Sequence, residues 1–326
     1  MVKYVFTRFL WFIPVMIGVV IIVFTISYIT PGDPVLMMLG SEYTQEQYDT
    51  KAAEYGLDKG YLEQVATYVW KLFTQFDMGK SYGTNIPVSL ELANRIPVSF
   101  RLSLMGMLLM VAVGLPLGIL SALNQYSAFD FGLTSLSLVM AAIPGFALAL
   151  LSVLLFGVML RWFPITGLDS WRSWILPVFC SSGMGIARYT RMSRTTMLEV
   201  IRQDYIRTAR AKGLSEGVVV TRHALKNCMV TLITTLGAQV SHMFSGSVVI
   251  ETIFSIPGVG MYMMNGIQGR DYPIVTGSVF IMSALVCVVN LTVDVMYAFI
   301  DPRIKARFTA PKARAKVMAL REKEAS

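Results

Sequence analysis

Residues 9–29 of the chain read FLWFIPVMIGVVIIVFTISYI, and none of these 21 positions carries a charge. An α-helix needs about 20 mainly apolar residues to cross the roughly 30 Å hydrocarbon core of a bilayer. A secretory signal has a shorter apolar core of about 7–15 residues and ends at small residues. This run is longer and leads into Thr30-Pro31, so we interpret it as a retained transmembrane helix.

The composition of the 326 residues is that of a membrane protein. Apolar residues make up 55% of the chain, charged residues 15%, and the mean hydropathy is +0.59. Soluble proteins carry roughly 25% charged residues, because water must wet their surface. The same figures exclude a disordered, collagen-like, coiled-coil or disulfide-rich protein.

Five further apolar stretches complete the predicted fold. They are residues 102–123, 131–160, 171–187, 228–254 and 274–300, of which 171–187 is the least apolar. Pro144-Gly145 falls near the middle of the long third stretch and predicts a kink there. The fold class we predict is an all-α polytopic membrane protein with six transmembrane helices.

The basic residues predict the orientation, since cytoplasmic segments are enriched in Lys and Arg. Segments 1–8, 188–227 and 301–326 hold 19 of the 28 basic residues, and six spans place all three on one side. We therefore predict that both termini are cytoplasmic and that 30–101 and 255–273 are extracytoplasmic. The net charge of +8 then reflects topology and attraction to anionic lipid, and does not indicate nucleic acid.

Motifs for catalysis or metal binding are missing. Gly79-Lys80-Ser81 resembles the end of a nucleotide-binding loop, but Thr74 stands where the first glycine belongs. Three separated cysteines and two histidines give no metal-ligand spacing. We predict no catalytic residue, no metal site and no cofactor bound by this chain.

Polar groups within the predicted spans have two interpretations. Glu251, His242 and Asp294 are either paired within the helix bundle or part of a proton relay. Small and polar residues also recur every three or four positions along the fifth span, on one helix face. This stripe either packs closely against another helix or lines a water-filled pathway, for which the candidates are Thr234, Thr235, Ser241 and Ser245.

Segment 188–227 is too long for a simple connection. Its pattern predicts a helix over 188–212, a break at Gly213 and a second helix over 218–227. Such a segment is either a solvated loop near lipid head groups or a rigid docking surface for a cytoplasmic partner.

Within it, residues 204–214, DYIRTARAKGL, and 222–227, RHALKN, resemble the EAA loop of permease subunits of ABC importers. The closest resemblance is to the oligopeptide, dipeptide and nickel branch. Aligned on Gly213, the chain keeps the motif residues Ala209 and Leu225. Arg207, Thr208, His223 and Lys226 depart from the general motif in the way this branch does.

Short motifs in the same order along the chain strengthen the resemblance. They are TPGDP at 30–34, GKS at 79–81, IPV at 86–88, FPITG at 163–167, Glu251 with FSIPGVG at 254–260, RDYP at 270–273, Asp294 with Tyr297, and DPR at 301–303.

The resemblance implies an ABC type I importer permease with defined sites. Its ATPase-coupling loop would comprise Arg207, Thr208, Ala209, Lys212, Gly213 and Leu225. Its gate or outer loop would comprise Glu251, Pro257, Gly258 and Gly260. In the outer segment, residues 57–76 favour an amphipathic helix, which either contacts a binding protein or is a passive surface.

The implied partners are a second permease, two ABC ATPases that carry ATP and Mg²⁺, an extracytoplasmic substrate-binding protein, and membrane lipid. The implied substrates are di- or oligopeptides, with nickel or another small solute as the alternative. A secondary transporter driven by an ion gradient is the rival class, but it would need paired repeats and a midplane carboxylate, which we do not find.

Overall fold

The computed structural model describes residues 2–40 and 42–300. Within that part, the side chains of residues 2–5, 240, 242, 244, 245, 294 and 297–300 are not described. The predicted pathway residue Ser245, the candidates His242 and Asp294, and the Tyr297 motif position therefore lie outside the described side chains. The predicted cytoplasmic tail 301–326, with the DPR motif, lies outside the described residues.

The described residues form helices and no strand, which confirms the all-α prediction. The α-helices are α1 (Val2–Ile29), α2 (Pro34–Leu39), α3 (Gln45–Tyr55), α4 (Tyr61–Gln75), α5 (Val88–Leu123), α6 (Ala128–Ala142), α7 (Gly145–Ser152), α8 (Ile175–Ile201), α9 (Asp204–Ala211), α10 (Glu216–Val218), α11 (Leu225–Ile253), α12 (Val259–Gln268) and α13 (Tyr272–Ile300). π-helical turns follow α7 at Val153–Met159 and α10 at Val219–Ala224, and a 3₁₀ turn at Trp171–Trp174 precedes α8.

Two predicted spans differ in shape from their helices. The second was expected to begin at residue 102, but α5 begins at Val88 and continues through Pro97 and Pro116. The third breaks sharply where a kink was predicted, since α6 and the helix after Pro144 meet at 98°. Ile143 adopts an extended backbone there because a following proline disfavours helical geometry.

Fewer than six of the described helices are by themselves long and apolar enough to cross a membrane. Among the described residues, three satisfy length and composition (Phe6–Ile29, Val88–Leu123 and Tyr272–Val293), and the bent α6–α7 pair is a fourth. The fourth and fifth predicted spans are long helices, α8 and α11, with a more polar composition. Each packs against several other helices, and α8 buries serine and threonine as well as apolar side chains. The six-span count stays a prediction.

The centre of the bundle is the pair α5 and α8, which share the most extensive interface among the described elements. A Cβ atom added at Gly118 would lie 2.4 Å from the Thr190 carbonyl oxygen and 2.5 Å from Ser193 Cβ. Only glycine therefore allows the two backbones to approach this closely.

A buried ion pair joins α6 to α8 near one end of that interface. The Arg194 guanidinium donates two hydrogen bonds to Asp130, from Nε to Oδ1 at 2.6 Å and from one terminal nitrogen to Oδ2 at 2.7 Å. Ser121 of α5 donates to the same carboxylate, and the Tyr126 amide donates at 3.0 Å. Asp130 is 3% exposed, so this network fixes three helices together. Sequence reasoning missed it because the partners are 64 residues apart.

Candidate functional site

The predicted coupling loop forms a compact hairpin between α8 and α11. α8 ends at Ile201, and Gln203 has an extended backbone (φ −74°, ψ 150°) before α9 begins. The prediction of one continuous helix over 188–212 is therefore wrong. The physical reason is that α9 must change direction to place its own apolar face against the π-helical turn Val219–Ala224.

That apolar face holds the hairpin in place. Ile206 and Ala209, three residues apart on α9, are 0% and 5% exposed. They belong to one apolar cluster with Met197 of α8 and with Val219 and Ala224 of the π-helical turn. Ala209, a predicted coupling residue, thus packs inside the chain, where its role is to position the hairpin.

The turn of the hairpin lies at Gly213, as predicted. Its φ is +76°, in the left-handed region that glycine adopts without a Cβ clash. Arg210 and Glu216 bracket the turn with two hydrogen bonds of 2.5 and 3.0 Å. The Arg210 guanidinium lowers the pKa of the Glu216 carboxyl. Both side chains are half exposed, so the pair stabilises the turn by less than about 1 kcal/mol.

The opposite side of the hairpin is open. Arg207, Thr208 and Lys212 are exposed, whereas the last predicted coupling residue, Leu225, is half-buried at the start of α11. The exposed side also carries apolar groups, which the sequence did not single out as contact residues: Tyr205, Leu214 and Val218. We call these six exposed residues (Tyr205, Arg207, Thr208, Lys212, Leu214 and Val218) the hairpin surface. The buried side chains of α9 hold the hairpin rigidly. Its exposed side carries both apolar and basic groups, and such a surface is suited to bind another protein.

The residues of the polar stripe on α11 form two groups, one exposed and one half-buried. Thr234 is exposed, and its hydroxyl donates to the Val230 carbonyl of its own helix. Thr235 and Ser241 are half-buried, and Ser241 donates to Asn290 of α13 at 2.9 Å. A Cβ at Gly237 would meet Val293 of α13 at 2.5 Å, so part of the stripe serves close packing.

At the far end of α11, three of the four predicted gate residues meet. Glu251, which is 0% exposed, accepts hydrogen bonds from the amides of Gly260 at 2.7 Å and Met261 at 3.1 Å. A Cβ at Gly258 would lie 2.4 Å from its carboxylate, whereas Pro257 is exposed. One oxygen of the carboxylate therefore caps the N-terminus of α12 by accepting from two of its first amides.

Removing this carboxylate tests its structural role. We expect Glu251→Ala to destabilise the folded chain by about 1–3 kcal/mol, because buried amides would lose their acceptor. Thermal unfolding in detergent, followed with a thiol-reactive dye that reaches the buried Cys180 and Cys228 only after unfolding, measures the change.

The matched control is Thr252→Ala, which removes an exposed hydroxyl bonded within α11. It should change stability by less than about 0.5 kcal/mol. Equal stability of both variants would contradict the capping role.

Two of the short motifs meet at the same end of the molecule. Ser81 of the GKS motif donates to the buried Asp271 of the RDYP motif at 2.7 Å, and the Gly83 amide donates to the same oxygen at 3.3 Å. The motifs are 190 residues apart in sequence. The GKS motif thus connects the segment before α5 to the start of α13.

The described part contains no group of three or more His, Cys, Asp or Glu side chains that could hold a metal ion. The hairpin surface and the Glu251 cap lie at opposite ends of α11, which rises about 40 Å over its 29 residues. Such a helix bundle, apolar outside and with a hairpin at one end, has the architecture of a multi-pass membrane protein.

Comparison with known proteins identifies the family. Residues 114–306 match the family described as binding-protein-dependent transport system inner membrane component, and residues 1–103 match the description of the N-terminal region of such membrane components. The chain belongs to this family, and it is a permease of the ABC importer type.

Relatives match over nearly the whole chain. A putative peptide transport system permease protein of Brucella abortus is 40% identical over 301 residues, which are 90% of this chain and 96% of that protein. The oligopeptide transport system permease protein AppB of Bacillus subtilis is 36% identical, covering 94% and 100%. The dipeptide transport system permease protein DppB of Escherichia coli is 33% identical, covering 94% and 99%.

A solved structure shares the fold. The MetNI methionine ABC transporter in inward-facing conformations aligns with a TM-score of 0.57 over 65% of this chain and 97% of the compared chain, at 14% identity.

Proposed function

We propose that this chain imports short peptides as one of two permease subunits of an ABC importer. Two observations support the proposal. The relatives named for peptide, oligopeptide and dipeptide transport match 90% or more of the chain. The hairpin surface presents exposed apolar and basic groups, and the buried Ile206 and Ala209 hold the hairpin in place beneath it.

In this proposal the hairpin surface docks on an ATPase subunit on the cytoplasmic side. Two such ATPases bind ATP and Mg²⁺, and their closure rocks this chain and a second, homologous permease between inward-open and outward-open states. An extracytoplasmic binding protein delivers the peptide. The proposed topology has six spans with both termini in the cytoplasm, and the exposed face of α11 with Thr234 borders the pathway.

The test combines purification with transport. The tagged chain is purified in mild detergent with its co-purifying proteins, reconstituted in vesicles with the associated binding protein, and supplied with labelled trialanine. We expect ATPase subunits and a second permease to co-purify, and uptake to require ATP and to persist when ionophores collapse all ion gradients.

Two outcomes would contradict the proposal. Uptake by the chain alone, driven by an ion gradient without ATP, would favour a secondary transporter. ATP-driven uptake of a nickel complex with no uptake of di- or tripeptides would retain the importer but replace the substrate.

A further inference from the structure

Helix α4, from the stretch 57–76 that the sequence favoured as amphipathic, packs along the last turns of α1. The hydroxyl groups of Tyr61 and Thr25 share a hydrogen bond of 2.6 Å, and the rings of Tyr61 and Tyr28 lie 5.1 Å apart. Seven residues further along α4, the Tyr68 ring lies 5.5 Å from that of Phe24. Phe24 precedes the end of α1 by five residues, which is about 8 Å at 1.5 Å per residue. α4 therefore descends along α1 from its end towards its middle.

The contact of α4 with α13 gives the same depth. The rings of Phe73 and Phe280 lie 5.7 Å apart, and Phe280 follows the start of α13 by eight residues, or about 12 Å. Both α1 and α13 are long and apolar enough to cross a membrane, and residues 9–29 and 272–293 contain no charge. Their apolar stretches extend to the ends that α4 contacts. α4 thus lies level with the outer part of the hydrocarbon layer and not above it.

One exposed edge of α4 is apolar. Leu62, Ala66 and Trp70 recur every four positions and so share one side of the helix. Leu62 is 78% exposed and Trp70 is 67% exposed, although both are large apolar side chains. The exposed Ile26 and Ile29 of α1 lie within one turn of the contact between Tyr61 and α1. The apolar outside of a membrane-spanning helix therefore continues next to this edge.

A second exposed edge of α4 is polar. Thr67, Lys71 and Thr74 follow the apolar edge by about 100° around the helix. Thr67 and Lys71 line a water-accessible cavity of about 580 Å³ between α4, α3, the end of α1 and the start of α13. Helices at a membrane surface have this arrangement, with Leu and Trp on the apolar side and Lys on the polar side.

We propose that α4 is embedded in the lipid leaflet at the end of the molecule opposite the hairpin. Leu62, Ala66 and Trp70 contact the acyl chains, and the polar edge faces the cavity, which α4 separates from the lipid. The depth of about 8–12 Å agrees with the roughly 5–10 Å to which the apolar faces of interfacial helices are buried. Tryptophan is also enriched at the boundary between head groups and acyl chains.

This assignment makes lipid the partner of the apolar edge, in preference to a soluble binding protein. A protein that approaches from water meets the ends of α1 and α13 before it reaches contacts 8–12 Å below those ends. The outer segment is then held to the membrane by the chain's own residues. The inference does not depend on which solute is transported.

Spin labels on neighbouring residues of α4 test the proposal. Ala66→Cys and Thr67→Cys are each labelled with a nitroxide in the full chain, reconstituted alone in nanodiscs of phosphatidylethanolamine and phosphatidylglycerol. Collision rates are measured with oxygen, which concentrates in hydrocarbon, and with a water-soluble nickel chelate. We expect the oxygen-to-nickel ratio to be several-fold higher at position 66 than at 67. The two sites differ by one residue in depth, so the difference reports the side of the helix.

Two further comparisons keep the test independent of one variant. Leu62→Cys and Glu63→Cys form a second apolar and polar pair, and the ratio should again be higher at the apolar position. Along the apolar edge the ratio should rise from position 62 to 66 and to 70, because α4 descends along α1. All variants carry Cys287→Ala, since Cys287 is half-buried, whereas Cys180 and Cys228 are buried. The chain with Cys287→Ala and no added cysteine is the blank.

The outcomes decide between lipid and protein as the partner of this edge. A higher oxygen-to-nickel ratio at positions 62 and 66 than at 63 and 67, in the chain alone, supports the proposal. Equal ratios within both pairs overturn it. The proposal also fails if position 66 is open to the nickel chelate in the chain alone and becomes shielded only when a co-purified second permease or substrate-binding protein is added.

Discussion

We expect Gly213→Val to abolish ATP-driven uptake while the chain still inserts in the membrane. Gly213 has φ +76°, where an ordinary L-residue costs about 1–2 kcal/mol and a β-branched residue costs more. No neighbouring atom lies within 4 Å of an added Cβ, so the effect comes from the backbone and not from a clash. The turn would open and displace the hairpin surface from the ATPase subunit that we propose it binds.

The measurement is uptake together with transport-stimulated ATPase activity in reconstituted vesicles, both of which should fall at least about tenfold. Gly213→Asn should retain part of the activity, since asparagine tolerates the left-handed region. Gly217→Val is the control, because Gly217 is exposed, has open space around its Cβ position and does not have a positive φ. Normal uptake by Gly213→Val would remove our account of the turn.

We expect the second large effect at the buried ion pair between α6 and α8. Asp130→Ala leaves the Arg194 guanidinium without its carboxylate partner in a largely buried position. Breaking a buried pair from one side costs about 3–5 kcal/mol, because the remaining charge is not compensated. The thiol-dye unfolding assay should show a large fall in melting temperature.

Two further variants make this prediction specific. The double variant Asp130→Leu with Arg194→Met removes both charges and should recover most of the lost stability, as apolar replacements of buried pairs often do. Lys51→Ala breaks an exposed pair with Glu54 and should leave the melting temperature nearly unchanged, because solvent screens exposed pairs. If Asp130→Ala and Lys51→Ala melt alike, the pair does not join the helices as we infer.

The sequence predicted several local features correctly. The apolar run at 9–29 lies within α1, the bend falls at Pro144-Gly145, and Gly213 forms the break in the hairpin. Each depends on a property that is local in the chain, such as the length of an apolar run, the effect of proline on the preceding residue, or the conformational freedom of glycine. The motif resemblance likewise led to the family that the comparisons show.

Other features depended on contacts between distant segments. The sequence predicted a single helix over 188–212, because nothing local shows that Ile206 and Ala209 pack against Val219 and Ala224. It placed Ala209 at the core of the coupling turn, but only the packing shows that this side chain is buried. α8 and α11 are less apolar than typical membrane-spanning helices. Both pack against several other helices, and only the tertiary structure shows this.

By itself, the sequence determined that this is a multi-pass membrane protein. Crossing a membrane requires apolar runs, and their length and flanking charges are local properties of the sequence. The tertiary structure alone decided which polar residues pair with each other across different helices and segments. It paired Asp130 with Arg194 and Ser81 with Asp271. A hydrogen bond depends on distance in space, and residues 64 or 190 positions apart become neighbours only when the helices pack.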